Sequence, residues 1–309
     1  MSITYSKDIN IVMKNELNQM YGNTRDYYSL FEKSFLKVFA FDESKVVGAV
    51  RVISEGLETA LLVDLKVLSE YGLDIKKGLI LELEKELIDR RVMVYSNRED
   101  VDFFEGLGYG RCKNAWTYFK EGLDEQDFLP AGYRYENEFI TYSTGASNGT
   151  KKTEITYKIG HTDASFEDIN DLLTQAFGRP HDLDRTTSVF TNSQYSVSAF
   201  DGDKLVGVAR AVSDKDKYAN ILNVAVNPEY QGMSIGRNIV LKLSEIIEAE
   251  VVVLNTHPGA VGFYNRLREY RRNKYVFEKQ ITVDGKNEMP PERRAAMFTP
   301  AGYKFPDEY

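Results

Sequence analysis

The chain has a single cysteine, Cys112, among 309 residues. One thiol excludes an intrachain disulfide, and a reducing cytoplasm is the expected setting. Cys112 itself reads as a small buried apolar residue rather than a nucleophile. There are only three histidines, His161, His181 and His257, and they show no HxH or HExxH spacing, so no metal site is expected. No run of about 18 apolar residues occurs, so no membrane helix is expected. Met1 to Asp8 lacks a basic patch followed by an apolar stretch, so no signal peptide is expected. Basic residues are the minority: 39 Lys and Arg against 47 Asp and Glu leave a net charge of −8. That balance disfavours nucleic acid as a partner and is compatible with a cationic substrate such as an amine.

What the chain does have is a sequence given twice. Ala40-Phe41-Asp42 and the run from Lys45 through Gly48 and Arg51 to Glu55 return as Ala199-Phe200-Asp201 and the run from Lys204 through Gly207 and Arg210 to Asp214. Phe103-Phe104 returns as Phe263-Tyr264, and Pro130-Ala131-Gly132-Tyr133 as Pro300-Ala301-Gly302-Tyr303. The small polar run Thr141 to Thr153 between the copies reads as a linker. The expected organisation is therefore a first domain over 1–140, a linker over 141–153 and a second domain over 154–309, each long enough for its own core.

Periodicity gives the second copy its elements. Phe166, Ile169, Leu172, Leu173 and Ala176 have helical spacing, ended by Gly178-Arg179-Pro180. Tyr195 to Phe200 and Lys204 to Val212 form a hairpin about Asp201-Gly202-Asp203. Ile221 to Val226 is a buried strand, and Arg237 to Glu248 an amphipathic helix. Val251 to Leu254 is a strand, Gly259 to Arg268 a helix, and Lys274 to Thr282 a last strand. This order makes an α/β fold with a mixed sheet.

The segment between the buried strand and the following helix carries the chemistry. Asn227-Pro228-Glu229-Tyr230-Gln231-Gly232-Met233-Ser234-Ile235-Gly236-Arg237 places small residues at a helix start. There, backbone N–H groups converge and the helix dipole favours an anion such as a pyrophosphate. Loops of this kind occur on unrelated folds, so the physics alone names no ligand.

This loop resembles the acyl-CoA loop of the GNAT superfamily of N-acyltransferases, of the form Gln/Arg-x-x-Gly-x-Gly/Ala. Ala260 to Leu267 is similar to that family's later helix motif. The resemblance implies two tandem GNAT-like α/β domains, each a mixed, mainly antiparallel sheet flanked by helices. It further implies an N-acyltransferase, most simply an N-acetyltransferase, using acetyl-CoA as co-substrate. Direct attack by a primary amine, small or on a peptide, in a ternary complex is expected. Gln231, Gly232, Met233, Ser234, Ile235, Gly236 and Arg237 would bind the pyrophosphate. Asn223, Val224 and Val226 would flank the thioester, with a backbone N–H near Val224 or Val226 available for the oxyanion. His257 stands where many relatives have an asparagine near the CoA arm. Tyr264 would protonate the leaving thiolate; by spacing alone it reads rather as a core aromatic. No glutamate occupies Ile221 to Val224, where many relatives carry the base. Asp214 is the substitute candidate, unless it is simply a turn residue. His181 and Asp182 lie where substrate walls are built, unless they form only a polar loop.

The departures assign the chemistry to one copy. Ser234 stands where glycine is usual. In the first copy Asp74 and Lys76 occupy the places of Ser234 and Gly236, which spoils both charge and backbone freedom. That copy reads as a degenerate domain with a structural or cleft-forming role. Two other readings are open: an acyl-CoA-binding sensor without turnover, and an aminoacyl transferase using aminoacyl-tRNA. The expected assembly is a monomer or homodimer.

Overall fold

The computed structural model describes residues 2–119, 128–130, 133–135, 138, 154–282 and 290–305. The expected linker over 141–153 lies outside the described residues. The first half runs β1 (Ile3–Ser6), α1 (Lys14–Met20), α2 (Tyr27–Lys33), β2 (Leu36–Asp42), β3 (Lys45–Ser54), β4 (Thr59–Val67) and α3 (Leu73–Glu84). It continues with β5 (Arg91–Tyr95), α4 (Val101–Gly106), β6 (Gly110–Arg111) and β7 (Ala115–Phe119). The second half repeats the series with β8 (Ile155–Ile159), α5 (Phe166–Phe177), α6 (Leu183–Thr191), β9 (Tyr195–Asp201), β10 (Lys204–Ser213), β11 (Tyr218–Val226) and α7 (Ile235–Ile246). It ends with β12 (Val251–Asn255), α8 (Val261–Tyr264), β13 (Arg271–Arg272), β14 (Val276–Gln280) and α9 (Pro291–Met297).

Two mixed, mainly antiparallel sheets of seven strands result, each flanked by helices, as the tandem reading expects. Their orders are β1-β2-β3-β4-β5-β14-β6 and β13-β7-β12-β11-β10-β9-β8. The pairs β4–β5 and β11–β12 are parallel and the rest antiparallel. The sheets do not divide the chain at the linker. β14, from the second half, pairs with β5 of the first (Val276↔Tyr95 to Gln280↔Arg91). β7, from the first half, pairs with β12 of the second (Ala115↔Asn255 to Phe119↔Val251). The exchange is reciprocal, and each exchanged strand brings an aromatic that its host core needs. Trp116 of β7 joins the core under α7, and Phe277 of β14 joins the core under α3. Their rings lie 5.3 Å from Tyr264 and 5.4 Å from Phe104.

The sheets face one another across a third core that includes Leu61, Met93, Cys112, Leu222, Val253, Val276 and Phe298. Charge is built into the same interface with the symmetry of the repeat. The Arg51 side chain is fully buried and donates to Asp64 at 2.6 Å and to Asp214 of the other half at 2.7 Å. Its counterpart Arg210 is equally buried, donates to Asn223 at 2.7 Å, and lies 3.8 Å from Glu55 of the first half. Between α5 and the hairpin, where the expected order of elements has no helix, the chain forms α6. Its Val189 and Phe190 pack with Ile169, Leu172 and Leu173 of α5, and this tertiary burial holds a helix too short to be stable alone. The expected long helix over 259–268 is only the four residues of α8.

Candidate active site

The site begins where two parallel strands part. β11 pairs with β12 from Tyr218↔Val251 to Ile221↔Leu254 and no further. Two residues on, Asn223 adopts φ of 51°, a left-handed step that asparagine tolerates better than most side chains. The buried Arg210 holds the Asn223 carboxamide, and the β10–β11 register shifts between Val208 and Arg210. The strand end carrying Val224 and Val226 therefore leaves β12 and opens a wedge. The first copy contains the same device: Asp64 has φ of 52° and is held by Arg51.

From β11 the chain turns through Asn227, whose side chain accepts from the Glu229 N–H at 3.0 Å and donates to Gln175 at 2.9 Å. Tyr230 donates its hydroxyl hydrogen to Asp201 at 2.7 Å. Gln231, Gly232, Met233 and Ser234 are exposed, with φ of 85° at Gly232 and 62° at Ser234. No side chain caps α7. The first bond to its N-cap carbonyl is Asn238 N–H to Ser234 O at 3.0 Å, so the N–H groups ahead of it are not used by the helix. Gly236 sits where a Cβ would be 3.4 Å from Phe263 and Val226. Arg237 is exposed and pairs with Glu269 at 3.0 Å. Uncapped N–H groups at a helix start, behind a loop of small residues, form an anion cradle.

The first copy departs from this arrangement, although α3 also starts without a side-chain cap. α3 starts at Leu73, two positions earlier than α7 in the matched sequence, and Gly72 has φ of −84°. Lys76, in the place of Gly236, reaches across to an ion pair with Asp100 before α4 and lies 5.0 Å from the Phe103 ring centre. Where Gly236 packs closely on Phe263 and Val226, the first copy instead sends a charged side chain toward the segment before α4.

Tyr264 lies at the inner end of the wedge, 5% exposed, between Trp116 and Phe263. Burial pushes its phenol well above the ordinary tyrosine value, so it holds its proton at neutral pH. Among the described residues its hydroxyl has no hydrogen-bond partner. His257 does the local work of an asparagine. Its Nδ1 accepts from the Gly259 N–H at 3.1 Å, as the Asn97 side chain accepts from Glu99 at 3.0 Å. A neutral His257 ring therefore carries its proton on Nε2.

The remaining expectations are redirected. Asp214 is not placed as a base. One carboxylate oxygen accepts from the N–H groups of Asp216, Lys217 and Tyr218, and the other from Arg51 of the first half. A side chain that is 4% exposed and fully engaged has no lone pair left for an amine. Asp182 is the N-cap of α6, accepting from the Arg185 N–H at 2.8 Å. His181 precedes it, with its ring against Phe177 and Nε2 buried without a partner. Burial lowers its pKa, with Arg179 adding to the effect. Sequence reasoning missed Trp116 and Glu58. Glu58, from the β3–β4 turn, pairs with Arg185 of α6 at 2.5 Å, so the first half supplies one wall beside α5 and α6. The exact repeat of Arg51 and Arg210 was the available signal for that contact. Among the described residues no cluster of His, Cys, Asp and Glu is placed to hold a metal, and no helix is long and apolar enough to cross a membrane.

Comparison with known proteins agrees with this geometry. Residues 165–270, from the start of α5 to the residue before β13, match the Acetyltransferase (GNAT) family. An uncharacterised N-acetyltransferase, ycf52, of Pyropia yezoensis is 37% identical over 67 residues, which are 21% of this chain and 38% of that protein. The chloroplastic GCN5-related N-acetyltransferase 2 of Arabidopsis thaliana is 37% identical over 90 residues, 26% of this chain and 35% of its own. The chain thus spans little more than a third of the length of these curated relatives. A GCN5-related N-acetyltransferase from Sphaerobacter thermophilus shares the whole fold, with a TM-score of 0.51 over 91% of this chain and 96% of its own, at 13% identity. Residues 165–270 are thus similar to the Acetyltransferase (GNAT) family, and the chain as a whole shares the fold of a GCN5-related N-acetyltransferase.

Proposed function

We propose that the second copy is an N-acetyltransferase that moves an acetyl group from acetyl-CoA to a primary amine by direct attack in a ternary complex. The observation that carries this reading is the wedge after Ile221, which leads from an uncapped helix start at Ser234 to the buried phenol of Tyr264. The residues present fit the co-substrate. Unused N–H groups from Gly232 to Arg237 suit a pyrophosphate. The parted strand end at Val224 and Val226 offers backbone N–H groups to a thioester carbonyl. Tyr264 keeps its proton through the assay range and can give it to a departing thiolate. The first copy, with Lys76 bridged to Asp100, has a structural and wall-forming role. The net charge of −8 suits a cationic acceptor, small or on a peptide, and the single buried cysteine suits the cytoplasm.

Calorimetric titration with acetyl-CoA tests the reading, beside Gly236→Asp and Lys76→Gly variants. One site is expected, lost in Gly236→Asp and unchanged in Lys76→Gly. Absence of binding to the wild type would sink the proposal. Two sites would show that the first copy also holds the ligand. Tyr264→Phe should keep the binding and lose about 10²-fold in thiol release; an unaffected rate would point to a sensor.

A further inference from the structure

β14 carries a glutamate, Glu278, where the matching place in β7 is Thr117. Side chains alternate along a strand. Phe277 enters the core under α3, while Val276 and Glu278 face the interface between the sheets. The Glu278 side chain is 5% exposed. Its Oε2 accepts from Asn255 Nδ2 at 2.6 Å. Asn255 ends β12, one residue beyond the last β11–β12 pair, and so stands at the lip of the wedge. The charged and titratable groups around the carboxylate are Arg91 of β5, Arg293 of α9 and the Cys112 thiol. Arg91 Nε lies 3.8 Å from Oε2 and makes no hydrogen bond. Oε1 has no hydrogen-bond partner among the described residues. A buried structural carboxylate is ordinarily saturated, as Asp214 is. Glu278 is not, and it sits against the second copy's wedge only because β14 crosses into the first sheet.

We propose that Glu278 is the proton acceptor for the amine attacking in the second copy's wedge, delivered there by the strand exchange. This rests on the acetyl-CoA reading above. The amine nitrogen forms a bond to the thioester carbonyl carbon, and Glu278 takes the proton that the nitrogen loses. The carbon–sulfur bond breaks, and the thiolate takes the Tyr264 proton. Afterwards Glu278 releases its proton to solvent and Tyr264 regains one. Burial raises the Glu278 carboxyl above its ordinary range against the lowering by Arg91 and Arg293, which makes it a stronger acceptor than an exposed glutamate.

Two measurements test this. In the first, Glu278 is coupled to a small amine by carbodiimide with and without saturating acetyl-CoA, and the adduct is read by mass spectrometry. Labelling that acetyl-CoA suppresses several-fold is expected; labelling unchanged by acetyl-CoA, or absent in both samples, would overturn the proposal. In the second, thiol release from acetyl-CoA is followed against pH with a panel of primary amines. Glu278→Gln is expected to lose about 10²-fold in kcat and to lose the acid limb of the profile, while binding acetyl-CoA as the wild type does. A variant with the wild-type rate and limb would overturn it, as would equal inactivity of both proteins across the panel. Wild-type protein that fails to bind acetyl-CoA would take down the acetyltransferase reading itself, a result distinct from either of these.

Discussion

At the residue scale, three side chains were chosen by environment rather than by type. Ser234 holds a left-handed backbone without being glycine. Relieving it with Ser234→Gly should stabilise the fold by about 1 kcal/mol, measured by chemical denaturation. Asp214 is a buried anchor for Arg51. Asp214→Asn should cost about 3 kcal/mol of stability while sparing turnover in the folded fraction; a loss of rate without a loss of stability would restore the base assignment. Glu278 gives a pH dependence with a definite sign. Its folded value is raised. The stability it contributes is therefore full below its unfolded value of about 4.3 and is lost as pH rises through the folded value. Glu278→Gln should melt above the wild type at pH 7, and the gap should close toward pH 4; calorimetric melts at both pH values check this.

At the element scale, the local patterns were readable and the partners were not. The hairpin β9–β10, the buried β11 and the loop to α7 follow from turn residues, apolar runs and helical spacing, whereas the parted strand end was implied only by the family resemblance. α6 escaped because it is only nine residues long and polar on average, with a narrow apolar face at Val189 and Phe190 that packs on α5. The helix expected over 259–268 was overlong because beyond Asn265 the backbone tightens to i→i−3 bonds, Arg266 N–H to Phe263 and Leu267 N–H to Tyr264, as Leu267 and Tyr270 turn into the core. The partners of β7 and β14 could not be read at all, since both are five-residue strands with an aromatic facing a helix-covered core, and either would satisfy either sheet by pattern. β7 has a measurable weight in the second site. Trp116→Ala should cost about 3–5 kcal/mol and, by loosening Tyr264, depress second-copy activity more than first-sheet stability. Proteolysis that cuts first between β11 and β14 would show this polarity.

At the scale of the whole molecule, the exchange makes two repeats into one cooperative body. Residues 154–309 expressed alone would leave β12 with an unpaired edge and Tyr264 without Trp116. That piece should be insoluble or molten, whereas the two pieces produced together should associate and melt as one unit, tested by co-purification and calorimetry. The sequence by itself determined that one fold occurs twice, that a loop of small residues between Val226 and Arg237 precedes a helix, and that Asp74 and Lys76 stand at the matching places of the first copy. Those are local facts, fixed by residue type, spacing and backbone freedom. Only the tertiary structure decided that β7 and β14 trade sheets, that Asp214 locks Arg51, and that Glu278 meets Asn255 at the wedge. Each depends on which of two equivalent surfaces a distant strand covers, and that choice is made by the summed packing of both cores rather than by any short stretch of chain.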